Sequence, residues 1–214
     1  MQNPEIAPEM SLFTPDGDRL YLTAEERRRF LDASALESPS ERMFCHVLHY
    51  SGCRPSEVLA ISPRRVMIND SAIVIVIVIH SLKKHKTDQQ GRLKQAQYRS
   101  VPVPPSLIEH LDLVFGLRSQ LRRDLCIDSP LWPMSRPTAY RLVKRVMDRA
   151  GIVGPQATGK GLRHGFGVAL VTANPPVPLH VISQLMGHGD SKTTEIYLQV
   201  LSEERHSLVM NAWA

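Results

Sequence analysis

A mostly helical α+β domain with one small antiparallel sheet is what this sequence predicts, and three observations carry that reading. Apolar residues recur at helical spacing over most of the chain, and two strand-like segments, 72–80 and 97–103, flank a long polar connection. Ser, Thr and Pro stand where the helices begin, and Gly and Pro where they end. The size agrees: 214 residues, 43% apolar and 22% charged, suffice for one or at most two domains with a proper core.

In chain order, residues 1–22 are irregular, with Pro15-Asp16-Gly17 as a turn signal. Thr23-Ala24-Glu25-Glu26 reads as a capping box, in which hydroxyl and carboxylate each satisfy a free backbone N–H, and it opens a helix through Phe30 and Leu31. A second helix is expected over 40–50, where Met43, Phe44, Val47 and Leu48 share a face, and Ser51-Gly52 ends it. A third starts at Pro55-Ser56, carries Val58, Leu59 and Ile61 and stops before Pro63, which leaves Arg54 at a junction between helices. The segments 72–80 and 97–103 then form a hairpin with an extended Lys/Gln-rich tip. Helices follow over 106–122, over 137–149 with Tyr140, Val143, Val146 and Met147 inward, and over 161–172, 179–186 and 191–200. There is no internal repeat and no low-complexity tract.

Charge is unevenly placed. The chain carries 26 Lys and Arg against 21 Asp and Glu, with a sequence pI of 9.3, which makes acidic partners plausible. Between His80 and Ser100, Lys83, Lys84, Lys86, Arg92, Lys94 and Arg99 face a single acid, Asp88, an excess equal to the net charge of the whole chain. Cys45, Cys53 and Cys126 are odd in number and widely spaced, so a disulfide framework is not expected and a reducing, cytoplasmic compartment is. The start of the sequence lacks a basic-then-apolar leader, and no window reaches the roughly 18 apolar residues of a membrane span, so neither secretion nor insertion is expected.

Three separated stretches belong side by side: Ser51-Gly52-Cys53-Arg54-Pro55-Ser56-Glu57, then Lys160-Gly161-Leu162-Arg163-His164, then Leu185-Met186-Gly187-His188-Gly189 with Tyr197 nine residues after the histidine. Together, from about residue 27 to 200, they resemble the tyrosine recombinase, or phage integrase, family. The first is similar to its box with the leading arginine, the second to its H/K-x-x-R box, and the third to its L-G-H box with the trailing tyrosine. Each feature alone has a plainer reading: a surface arginine, a turn histidine, a core tyrosine, a solvated lysine loop. Their occurrence together and in order favours the family.

The resemblance implies a catalytic domain over 23–200 that cleaves DNA by attack of Tyr197, forming a 3′-phosphotyrosyl link and freeing a 5′-hydroxyl. The link conserves bond energy for rejoining, so no cofactor and no metal is needed. Arg54 and Arg163 are implied phosphate-binding residues, a role that suits planar guanidinium groups that keep their charge and bind oxyanions bidentately. His188 is implied to hydrogen-bond the same phosphate, Lys160 stands where most members have histidine, and Glu57 is implied to orient Arg54 from behind. A hairpin lysine protonates the leaving oxygen in this family; Lys83 is the first choice and Lys86 the reserve, since the insertion 88–97 leaves the register open. A stiff β-branched strand is a fitting handle for such a flexible tool. Lys84, Lys86, Arg92, Lys94, Arg141 and Lys144 are further candidates for DNA contact, although for the helix with Tyr140, Arg141, Lys144 and Arg145 a solvated face is an equal reading.

The implied partners are double-stranded DNA, further copies of the chain in a tetramer on DNA that is monomeric in solution, and DNA-bending accessory proteins. A cytoplasmic, nucleoid-associated location follows from the same resemblance. Members of the family commonly carry a separate DNA-binding domain before the catalytic one, and only about twenty residues precede the first expected helix here. The expectation is either a catalytic portion of a longer recombinase or one of the short recombinases without that domain. The tail, 201–214, with Leu208, Val209 and Trp213, is placed like the family's final protomer-docking helix. Integration, excision, inversion and resolution all stay open, and so do two rivals: a topoisomerase of type IB and a regulator that binds DNA without cutting it.

Overall fold

The computed structural model describes residues 11–67, 76–80, 98–124, 126–187 and 192–198. Helix α1 (Ala24–Ser34) begins with the expected capping box: the Thr23 hydroxyl accepts from Glu26 N, and the Glu26 carboxylate accepts from Thr23 N at 2.8 Å. Glu26 also receives a two-pronged bond from Arg19, which ties the preceding segment to the helix. Helix α2 (Pro39–Ser51) buries Met43, Phe44, Val47 and Leu48 and ends at Gly52, in the left-handed region at φ +58°. The third helix is shorter than the apolar pattern suggested: α3 (Pro55–Val58) is a single turn, because the chain must bend again before Pro63.

The sheet is antiparallel in the order β1 (Val66–Met67), β2 (Val76–His80), β3 (Tyr98–Pro102), with Val76 opposite Pro102 and His80 opposite Tyr98. Strand β1 has no counterpart in the sequence reading; two residues are too few for a periodic signal. Most of the hairpin tip, with Lys83, Lys84, Lys86, Arg92 and Lys94, lies outside the described residues, as do His188 and the tail 201–214.

The single helix expected over 106–122 is two, α4 (Pro105–Phe115) and α5 (Leu117–Arg123), separated where Gly116 turns left-handed at φ +65°. Helix α6 (Arg136–Arg149) buries Ala139, Leu142, Val143, Val146 and Met147; Tyr140, expected inward, is 62% exposed, at the margin of that apolar face beside Val143 and Met147 in the 3.6-residue period. Helices α7 (Gly159–Val171), α8 (Leu179–Met186) and the short α9 (Lys192–Glu195) complete the set. One apolar core joins α1, α2, α4, α6, α7 and α8, with Trp132 sealed against Phe44 and Phe115 edge-to-face and its indole N–H donating to Ser40 O at 2.8 Å. No helix among the described residues is long and apolar enough to cross a membrane.

Candidate active site

Helix α7 is the backbone of the site. Thr158 caps it, its hydroxyl accepting from Gly161 N at 3.0 Å, and nearly the whole helix from Gly161 to Val168 is buried. Residues 160, 163, 164 and 167 stand three and four apart and therefore share one side. That side lines an open cleft of about 520 Å³, into which come Arg54 and Ser56 from the start of α3, Lys160, Arg163 and His164 from α7, and Tyr197 from the turn after α9. Arg54, the α7 pair Lys160 and Arg163, and Tyr197, from three distant parts of the chain, are brought together here.

Arg163 is 7% exposed and spends its guanidinium on backbone carbonyls: Nη1 donates to Gly52 O at 2.8 Å and Nη2 to Met186 O. It thus ties the segment before Arg54 to the last turn of α8. Burial, then the charge of Arg54, lowers its pKa to about 10, and Glu57 works the other way. Arg54, by contrast, is half-exposed, free to meet an anion from solvent.

Glu57 is almost fully buried. Its Oε2 accepts from Arg54 N at 2.9 Å and its Oε1 from Arg54 Nη1 at 3.3 Å, while Arg99 grips both oxygens at 2.8 and 3.2 Å. Burial alone would raise the carboxyl pKa; the bonds and charge of Arg99 and the Arg54 N–H outweigh it, so Glu57 is held below the usual carboxylate range. Arg99 also donates from Nε to Leu185 O at 2.8 Å. In the sequence it counts with the basic hairpin, yet only 7% of its side chain is exposed: it belongs to the interior, a bolt between β3, α3 and the end of α8. The signal was in the strand period, since Arg99, Val101 and Val103 alternate on one face with Tyr98, Ser100 and Pro102 exposed on the other.

Tyr197 does not sit in a helix, as expected for 191–200, but in a turn closed by Tyr197 N donating to Thr194 O at 3.1 Å. Its ring is fully buried and lies over α7 at Gly167, where a Cβ would come within 2.3 Å of Tyr197 Cζ; no side chain fits there with the ring in place. Burial pushes the phenol well above its ordinary pKa, against the pull of Arg163 and Arg54. The hydroxyl meets His164 Nδ1 at 3.3 Å. His164 has no role in the sequence reading; its place four residues after Lys160 on one helical face is the signal that points to it.

On α6, Arg145 is taken up by Glu37 and Glu41, Lys144 pairs with Asp148 at 3.0 Å, and Arg141 bonds Thr138 within its own helix. These groups remain at the surface, where such pairs are weak. Among the described residues no three His, Cys, Asp or Glu side chains cluster in a way that would hold a metal ion.

The profile of the phage integrase family matches residues 20–204. Among curated proteins, the tyrosine recombinase XerA of Thermococcus onnurineus is 28% identical over 185 residues, 85% of this chain and 58% of that protein. The tyrosine recombinase XerD of Brucella abortus is 28% identical over 208 residues, 88% of this chain and 61% of its own. The chain thus spans about three fifths of the length of these relatives. Among solved structures, the XerH site-specific recombinase in a post-cleavage complex with palindromic difH substrate superposes with a TM-score of 0.69 at 20% identity, covering 90% of this chain and 53% of that one. The catalytic domain of bacteriophage HP1 integrase does so at 0.56 and 18% identity, covering 84% and 86%.

Proposed function

We propose that this chain, which belongs to the phage integrase family, is the DNA-breaking and rejoining unit of a site-specific recombinase that works through a 3′-phosphotyrosyl intermediate. The observation that carries the reading is the convergence of two arginines, a lysine and a buried tyrosine on one cleft from three separate parts of the chain. A phosphodiester in that cleft would lay its non-bridging oxygens toward Arg54 and Arg163, which stabilise charge where it grows in the transition state. Tyr197 Oη attacks phosphorus, the P–O5′ bond breaks, and the reverse reaction with another 5′-hydroxyl rejoins strands. His188 as a phosphate donor, Lys83 or Lys86 as the acid at the leaving oxygen, and Lys84, Arg92, Lys94, Arg141 and Lys144 as backbone contacts complete the reading.

The relatives named as Xer recombinases, and the XerH complex with its DNA substrate, support duplex DNA as the substrate. A tetramer assembled on DNA, the tail 201–214 as a protomer contact, DNA-bending helpers and a cytoplasmic, nucleoid-associated location belong to the same proposal. The test is covalent trapping: nicked duplexes drawn from the DNA flanking its own coding sequence are incubated with the chain and with Tyr197→Phe. An adduct that survives denaturation and disappears in the variant is expected. Tight binding without any adduct would instead mark a regulator, and relaxation of supercoils without a specific site a topoisomerase.

A further inference from the structure

We infer that His164 is the proton acceptor for Tyr197: its imidazole Nδ1 receives the phenolic proton as Tyr197 Oη attacks the scissile phosphorus, and returns it when the strand is rejoined. This deepens the recombinase reading above and rests on it. Among the described residues the hydrogen-bond partner of the hydroxyl is His164, at 3.3 Å, with the two rings 6.3 Å apart and tilted by 59°. A resting distance of this length is ordinary for a base that tightens on its substrate.

The surroundings suit the task. His164 is 7% exposed, and its far nitrogen, Nε2, is buried without a hydrogen-bond partner among the described residues. Among the described residues the charged groups near it are cations, Lys160 and Arg163 on its own helix, with Arg54 across the cleft. Burial, then Lys160, then Arg163 lowers its pKa to about 4, so at neutral pH the ring is uncharged and able to accept. The same burial makes the imidazolium short-lived. No carboxylate is fixed at Nε2 among the described residues to hold the charge, so the proton goes back when Tyr197 becomes the leaving group.

The step balances. The O–H bond of Tyr197 breaks toward Nδ1, the new Oη–P bond forms, the P–O5′ bond breaks with its electron pair, and the 5′-oxygen takes a proton from a lysine ammonium or from water. A phosphate drawn against Arg54 and Arg163 lowers the cost of the phenolate that develops.

Two measurements on the intact chain decide the matter. Long-range nitrogen–proton NMR of the free protein reads the tautomer; Nδ1 unprotonated is expected, and a protonated Nδ1 overturns the assignment. His164→Asn keeps a polar group facing Tyr197 but cannot take up a proton. Adduct formation on a suicide duplex should slow by about 10²- to 10⁴-fold. The wild-type rate should be flat between about pH 6 and about pH 8, while the variant, relying on hydroxide, gains about tenfold per pH unit. The deficit should persist on a 5′-bridging phosphorothiolate, whose sulfur leaves without a proton. A variant as fast as wild type, one slowed by a constant factor at every pH, or one rescued by the phosphorothiolate sinks the assignment while leaving the recombinase reading intact. Absence of any wild-type adduct sinks the recombinase reading itself, and the assignment with it.

Discussion

Arg54 and Arg163 carry the same charge into one cleft under different conditions, and the difference sets what their removal reads out. Arg163 is committed to Gly52 O and Met186 O, so its loss would strand two carbonyls as well as remove a cation. The Arg54 side chain is 53% exposed, with one long bond to Glu57. Arg54→Ala is therefore the cleaner probe. Adduct formation should fall about 10²- to 10³-fold, the loss typical of one donor at a developing oxyanion, with the melting temperature little changed. A parallel thermal scan and trapping assay check both halves. If stability falls as steeply as activity, Arg54 acts on the fold and not on the phosphate.

At the scale of elements, two junctions hold the cleft open in one shape. The first is the Arg99–Glu57 pair, 7% and 1% exposed, joining β3 to α3. Glu57→Ala leaves a buried guanidinium without its carboxylate and should cost about 3–5 kcal/mol by urea denaturation, while replacing both partners by leucine should recover most of it. The second is the seat of Tyr197 on α7. A Gly→Ala change inside a helix ordinarily stabilises by up to about 1 kcal/mol. Gly167→Ala should do the reverse and cost about 1–3 kcal/mol, because its Cβ would stand 2.3 Å from Tyr197 Cζ and force the ring out of its buried seat. In a Tyr197→Ala background the sign should flip, and the double-mutant cycle measured by denaturation reads that coupling directly.

For the whole molecule, three shielded histidines, His46 and His49 partly buried and His164 buried, set an acid limit. Burial, with Arg42 and His110, lowers His46 to about 4; burial, with Arg27 and His46, does the same to His49; His164 makes the third. Each titrates near 6.5 once unfolded, so between about pH 6.5 and pH 4 the unfolded chain takes up protons that the folded chain refuses. Stability should hold above about pH 6.5 and fall steadily as the pH drops toward 4. Below that, protonation of Glu57 removes the partner of Arg99 and the decline continues. Denaturant midpoints taken across this range test it. A flat profile from about pH 7 to about pH 4.5 would mean the histidines protonate in place without strain.

Local chemistry was enough to determine most of the helix starts, the strand pair and the boxes around Arg54, Arg163 and Tyr197. Caps, apolar period and box spacing act over a few residues and do not wait for packing; Thr23 with Glu26, and the stop at Gly52, stand as the sequence alone predicts. Only the tertiary structure decided which polar groups go inside. Arg99 reads as one more cation of a basic hairpin until Glu57, 42 residues away, turns it into a buried bolt. His164 carries no assigned role until Tyr197, 33 residues on, lays its hydroxyl against it. Tyr140 reads as core until the packing around α6 stops short of it at the margin of the apolar face. A charge or an imidazole is stable in an interior only with the partner that compensates its lost water, and that partner comes from elsewhere in the chain, where only the fold can place it.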